Sequence, residues 1–214
     1  NGFKMLNKSG KSIEMVRGLD LLPTINGNDL KAYQGSRYEK DIWQDYFNFI
    51  IKFSGKTKPF KIVVDASNGV IGKAILGIKD KLSVHVIDLN FEPDGNFPNH
   101  SPNPLLEGSA DQITQKIKTE KADFGFIFDG DADRVFLVDE NGWLVRADVT
   151  LLLLAKYFLT QPLTVPPRRD DVEASENPGS VIAYNAICSK AVPEFIKKWG
   201  GKPVRTKVGF VNVR

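Results

Sequence analysis

From residue 61 to residue 206, short apolar runs alternate with stretches whose apolar residues recur at helical spacing. This alternation constrains the fold more than any other feature of the chain. Lys61–Val64 (Ile62, Val63, Val64), Ser83–Leu89, Phe124–Phe128 and Val135–Val138 read as strands. Helical patterns fall between and after them near Val70–Leu76, Leu105–Thr119 (Ile113 and Ile117 four apart) and Val149–Leu159, the last with Asp148 as its cap. Asp139-Glu140-Asn141-Gly142 is a hairpin turn into a return strand at Trp143–Val145. Strand alternating with helix predicts an α/β fold, a mixed, mostly parallel sheet in α/β/α layers.

Two breaker-rich stretches divide the chain. Ser54–Pro59 is the first boundary, and Gln161–Gly179, with four prolines and the charges Arg168–Asp171, is a linker. Before the first boundary, residues 1–25 look strand-like and then irregular. Residues 28–53 turn helical, with Ile42, Tyr46, Phe49, Ile50 and Phe53 on one face. After the second, Ser180–Tyr184, Ser189–Trp199 and Pro203–Thr206 begin another strand–helix–strand unit. The chain begins without Met and ends at Arg214 within an apolar pattern, which reads as part of a longer protein.

Composition removes several classes of function. Lys and Arg total 29 against 26 Asp and Glu, and this net charge of +3 is spread along the chain, unlike the basic stripe of a nucleic-acid binder. No apolar run approaches the ~20 residues of a membrane helix, so no membrane partner is expected. Cys188 is the one cysteine. That excludes an intrachain disulfide and a multi-cysteine zinc site, and leaves Cys188 as a packing residue in a chain expected to be cytoplasmic. His100 reads as a loop histidine bonded to its own backbone.

The chemistry concentrates in the string FDGDADR, residues 128–134. Asp129, Asp131 and Asp133 follow the strand Phe124–Phe128 directly, at the strand end where α/β sheets bind ligands. Gly130 and Ala132 are small enough for the loop to curl and bring the three carboxylates together. Convergence of three anions is costly without a cation among them, and hard oxygens suit Mg²⁺, with Mn²⁺ or Ca²⁺ as substitutes. Arg134 beside them suits a phosphate oxygen. A solvated acidic turn is the plain alternative. An EF-hand calcium loop is another, but its sixth position needs Gly where Arg134 stands, and the flanks here are strands. A phosphatase with a strand-end aspartate nucleophile is a third; it would usually place Thr or Val where Asp133 stands.

FDGDADR resembles the metal-binding loop of the α-D-phosphohexomutases, the phosphoglucomutase/phosphomannomutase family. Four other segments are similar to that family in the same order: residues 1–5 to the segment after its phosphoserine loop, 62–69 to the opening of its second domain, 93–100 (PDGNFPNH) to a second-domain loop, and 200–209 to the start of its third domain. The resemblance implies residues 1–57 as the end of a first domain, 58–162 as a second domain with the metal loop, and 163–214 as a linker and the start of a third. It implies an isomerase of carbohydrate metabolism that moves a phosphoryl group between hexose 1- and 6-phosphates through a phosphoserine and a hexose bisphosphate. Asp129, Asp131 and Asp133 would hold Mg²⁺. Lys4 matches a lysine proposed as general acid/base, Arg134 would stabilise the phosphoryl group, and Thr206 and Gly209 fall in a turn lining the sugar.

The chain departs from that pattern where it lacks a T-A-S-H-N-P phosphoserine motif and the later sugar-reading loop, and where Ile187 and Phe210 replace a lysine and a histidine of some members. These departures predict that the 214 residues alone are inactive, and they leave the sugar open among mannose, glucose and glucosamine. A phosphoglucosamine mutase, a metal-dependent phosphatase and a non-catalytic metal or sugar-phosphate binding module are the alternatives.

Overall fold

The computed structural model describes residues 36, 38–55, 58–160 and 180–209. Lys4, the strand-like opening and the 161–179 linker lie outside them.

Four strands form one sheet: β1 (Lys61–Asp65), β2 (His85–Leu89), β3 (Phe124–Phe128) and β4 (Val135–Val138), in the order β2-β1-β3-β4. β1 is parallel to β2 and β3, and β4 is antiparallel to β3, giving the mixed, mostly parallel sheet. Period two divides β1 between two cores. Val63 faces Ile113 and Ile117 of one helix, Asp111–Glu120, in a cluster with Ala122, Ile127 and Val138. Ile62 and Val64 face the other side, against Ala66, Phe91 and, from the helix Ile71–Ile78, Ile71 and Ile75. The sheet is therefore covered on both faces.

This topology places the site. The helix Ile71–Ile78 (α2, after the helix Trp43–Ile51, α1) carries the chain from β1 to β2 on one side. The helix Asp111–Glu120 (α3) carries it back across β1 to β3. Right-handed crossovers in opposite directions put α2 and α3 on opposite faces. The loops leaving β1 and β3 meet at the carboxyl ends of these strands, where Val70 N–H donates to the Gly130 carbonyl, and the crevice opens there.

Several elements differ from expectation. α1 does not turn the predicted stripe inward: Ile42, Tyr46, Phe49 and Phe53 are exposed. Of that stripe only Ile50 is half-buried, and it is joined by Trp43 and Phe47 from the neighbouring face. Two apolar stripes compete on this helix, and the aromatic one meets α2, where the Phe47 ring abuts Gly77 and Lys73 Nζ lies 4.5 Å from the Trp43 ring centre. α3 begins at Asp111 rather than Leu105 because Gly108 (φ +80°) breaks the helix, and Leu105 and Leu106 stay exposed in the turns before it. The return strand at 143–145 shrinks to one bridge, Val138 to Leu144. Asp148 lies inside the helix Ala147–Thr160 (α4), gripping Arg146 at 2.9 and 3.1 Å, rather than capping it from outside.

The last unit pairs β5 (Val181–Asn185) in parallel with β6 (Lys202–Thr206), joined by α5 (Ala191–Lys198). Ala155 of α4 is buried with Val192 and Ile196 of α5, so α4 packs on this unit. Among the described residues, no helix is long and apolar enough to cross a membrane.

Candidate metal centre at the strand ends

β3 delivers Asp129 to the crevice, and the chain then turns within five residues to re-enter the sheet at Val135. Ala132 (φ +58°) makes the turn, with its N–H donating to the Asp129 carbonyl at 3.1 Å. The left-handed residue is thus Ala132, not Gly130. Gly130 serves close approach: a Cβ there would stand 3.2 Å from Pro102 Cβ and 3.4 Å from the Phe97 ring.

The curl brings Asp129, Asp131 and Asp133 together, with one carboxylate oxygen from each lying within 4.8 Å of the others. Asp129 is buried, and Asp131 and Asp133 are exposed on the rim. Arg134 closes on Asp129 twice: its backbone N–H donates to Oδ1 at 3.0 Å and its Nε–H to Oδ2 at 2.7 Å. Its Nη1 reaches Asn103 Oδ1 at 3.4 Å. Burial alone pushes the Asp129 carboxyl up, but the two Arg134 hydrogen bonds and its charge outweigh that and hold the pKa below the ordinary carboxylate value. Asp129 is therefore an anion at neutral pH. Each of its oxygens keeps a lone pair beyond the one Arg134 uses. Three hard oxygen donors so grouped fit a divalent cation such as Mg²⁺, Mn²⁺ or Ca²⁺.

Two further loops frame the cluster. After β1, Ser67 Oγ donates to the Phe128 carbonyl at 2.5 Å and Val70 N–H to the Gly130 carbonyl at 3.1 Å. After β2, residues 90–104 wrap the opposite side. Asn68 donates to the Glu92 carbonyl and accepts from Asn99 Nδ2, both at 2.8 Å. Ser67, Asn68, Asn90, Phe97 and Ala132 all have φ near +50 to +60°. Outside these loops only Lys121 among the described non-glycine residues does so. Strain concentrated this way marks loops whose shape serves something other than stability. The three loops enclose a groove of about 580 Å³ lined by Asn68, Gly69, Phe97, Asn103, Asp129, Asp131 and Arg134.

Sequence reasoning missed the anchor of these loops. Asp65, fully buried at the end of β1, accepts from Ser67 N–H at 2.8 Å and Asn90 Nδ2 at 3.1 Å, and its Oδ2 lies 3.0 Å from His100 Nε2. His100 Nδ1 lies 2.8 Å from the Ser101 carbonyl, so the expected backbone bond is present, but as half of a pair. A charged residue ending the apolar run 62–64 was the available signal.

The other expected residues lie elsewhere. Thr206 Oγ1 donates to the Tyr184 carbonyl at 3.3 Å, and Gly209 has φ +118°. Thr206 pairs in register with Asn185, which borders a second hollow of about 490 Å³ with Arg146, Asp148 and Cys188. Neither Thr206 nor Gly209 lines the aspartate groove. Cys188 packs with the α4–α5 cluster, its Sγ 3.2 Å from Asn185 Oδ1.

Residues 37–142 match the family model described as phosphoglucomutase/phosphomannomutase, alpha/beta/alpha domain II. Over its whole length the chain is 36% identical to a phosphomannomutase/phosphoglucomutase of Pseudomonas aeruginosa and covers 43% of that protein. It is 32% identical to a phosphomannomutase of Methanocaldococcus jannaschii and covers 45% of that protein. A crystal structure of a phosphoglucomutase/phosphomannomutase family protein from Burkholderia thailandensis superposes on 84% of this chain and 36% of its own, with TM-score 0.72 and 32% identity. The chain belongs to the phosphoglucomutase/phosphomannomutase family. It spans less than half the length of the curated relatives it matches.

Proposed function

We propose that the whole protein is a phosphohexomutase that interconverts hexose 1-phosphate and hexose 6-phosphate, of mannose or glucose, by way of a phosphoserine and a hexose bisphosphate. The observation that carries this reading is the grouping of Asp129, Asp131 and Asp133 within 4.8 Å at a parallel-strand switch point, in a chain of this family. In this reading the three aspartates hold Mg²⁺, which supplies positive charge against phosphate oxygens during transfer. Arg134 keeps Asp129 ionised and presents its guanidinium at the groove. Lys4 serves as general acid/base, and Thr206 and Gly209 line the sugar side.

The division proposed is 1–57, 58–162 and 163–214, with α4 as the joint between the second and third parts, since it packs on α5. The 214 residues hold no serine in a T-A-S-H-N-P setting, so they are expected to give no turnover alone. A cytoplasmic location and the absence of nucleic-acid or membrane partners belong to the same proposal.

The test is a coupled mutase assay on the whole protein with mannose, glucose and glucosamine 1-phosphates and a bisphosphate primer. Formation of the 6-phosphate supports the reading, and preference for the glucosamine ester favours a phosphoglucosamine mutase. Release of inorganic phosphate without isomerisation would overturn it in favour of a phosphatase, and metal and sugar-phosphate binding without any turnover would favour a binding module.

A further inference from the structure

We propose that His100 is a positioning residue for the aspartate loop: its imidazolium clamps Asp65, and the strand end held this way grips the two carbonyls that flank Asp129. The proposal rests on the metal reading above and names what keeps its innermost ligand in place.

The proton count comes from geometry. His100 Nδ1 lies 2.8 Å from the Ser101 carbonyl, which only accepts, so Nδ1 carries hydrogen. Nε2 lies 3.0 Å from Asp65 Oδ2, and two acceptors cannot meet at that distance. The pair therefore holds one proton more than a neutral imidazole beside a carboxylate, and is an imidazolium–carboxylate pair. Its side chains are 5% and 0% exposed, so neither partner offers itself to a ligand.

From Asp65 the coupling runs through named contacts. Oδ1 accepts the Ser67 N–H at 2.8 Å and Asn90 Nδ2 at 3.1 Å, holding Ser67 and Asn68 in left-handed conformations that side chains disfavour. Held there, Ser67 Oγ donates to Phe128 O and Val70 N–H donates to Gly130 O. Phe128 and Gly130 are the residues on either side of Asp129, so the clamp sets the backbone that aims the buried carboxylate.

Among the described residues, Asp65 is the charge acting on His100, and the Asn90 and Gln112 amides beside the pair are neutral. The Asp65 hydrogen bond holds the imidazolium above its ordinary pKa, against the opposing effect of burial, with the Ser101 bond and the Asp65 charge adding to it. When pH rises through that value, the ring loses one of its two hydrogens and its charge, so the clamp keeps a single donor and Asp65 loses the cation that holds it. Metal affinity is then expected to fall as pH rises. Titration of ligand carboxylates has the opposite sign, because deprotonating a ligand strengthens binding.

The experiment is Mn²⁺ titration by calorimetry across neutral to alkaline pH on the whole protein, on His100→Gln and on Ser67→Ala. Gln can donate one N–H to Asp65 at every pH, so His100→Gln is expected to bind at near wild-type strength in neutral solution without the alkaline loss. Ser67→Ala cuts the link beyond the dyad. It is expected to weaken Mn²⁺ about tenfold, a typical cost for an outer-shell partner, while leaving the His100 C2–H titration seen by NMR unchanged. It also keeps the idea testable if His100→Gln does not fold. Wild-type affinity that is flat or rising with pH, together with unaltered binding by Ser67→Ala, would overturn the clamp and leave the metal reading standing. No Mn²⁺ binding by the wild type at any pH would overturn both.

Discussion

Gly69 and Gly130 meet backbone to backbone across the floor of the groove: a Cβ on Gly69 would lie 2.5 Å from the Gly130 carbonyl oxygen and 2.9 Å from its Cα. Val70 N–H donates to that same oxygen, so the loop after β1 and the aspartate loop are in register only while residue 69 has no side chain. Gly69→Ala must push the two backbones apart. The expected loss is about 1–3 kcal/mol of stability, in the range of overpacking a tight contact, with a weaker Mn²⁺ site. Denaturant unfolding and metal titration of the same sample check both.

Arg134 governs the acid side of stability. The Asp129 pKa is held low in the folded protein, so its contribution is present above the ordinary carboxylate pKa and is lost as pH falls through the folded value. Arg134→Gln removes the Nε donor and the charge, leaving the backbone bond alone against burial. The variant is expected to be less stable by about 1–3 kcal/mol at neutral pH, the cost of under-satisfying a buried acceptor. The two stability curves should converge in acid. Parallel curves at every pH would show that Arg134 does not act through Asp129.

His100 governs the other side. Its folded pKa is raised, so its contribution is complete below the ordinary imidazole value near 6.5 and is lost as pH rises through the folded one. Unfolding free energy is expected to decline as pH rises above about 6.5 in the wild type and to stay level there in His100→Gln. Urea unfolding at a series of pH values measures it.

Much of this was legible in the sequence for physical reasons. β3 and β4 are continuous apolar runs ended by charge or turn residues, and the structure keeps their expected limits, Phe124–Phe128 and Val135–Val138. The aspartate loop was visible because three carboxylates at spacing two, next to a buried strand, are electrostatically improbable without a reason. What stayed hidden depends on tertiary contact. Nothing local tells which of two apolar stripes on α1 meets α2; the Phe47 ring against Gly77 decides it. The pairing of Asp65 with His100, thirty-five residues apart, exists only once β1 and the β2–α3 loop are adjacent. Leu105 and Leu106 extended the helical pattern of α3, but Gly108 at φ +80° overrides it.

If Asp129, Asp131 and Asp133 form one divalent-metal site, loss of one carboxylate must weaken it. Asp131 is exposed and can be changed without disturbing the core, so Asp131→Asn separates metal binding from folding. Calorimetric titration of Mg²⁺ and Mn²⁺ into the whole protein and this variant is the direct measurement. A single site is expected in the wild type, with an affinity at least about tenfold weaker in the variant, since removing one charged oxygen ligand lowers the charge that tunes such sites. Equal affinity in the two proteins would contradict it.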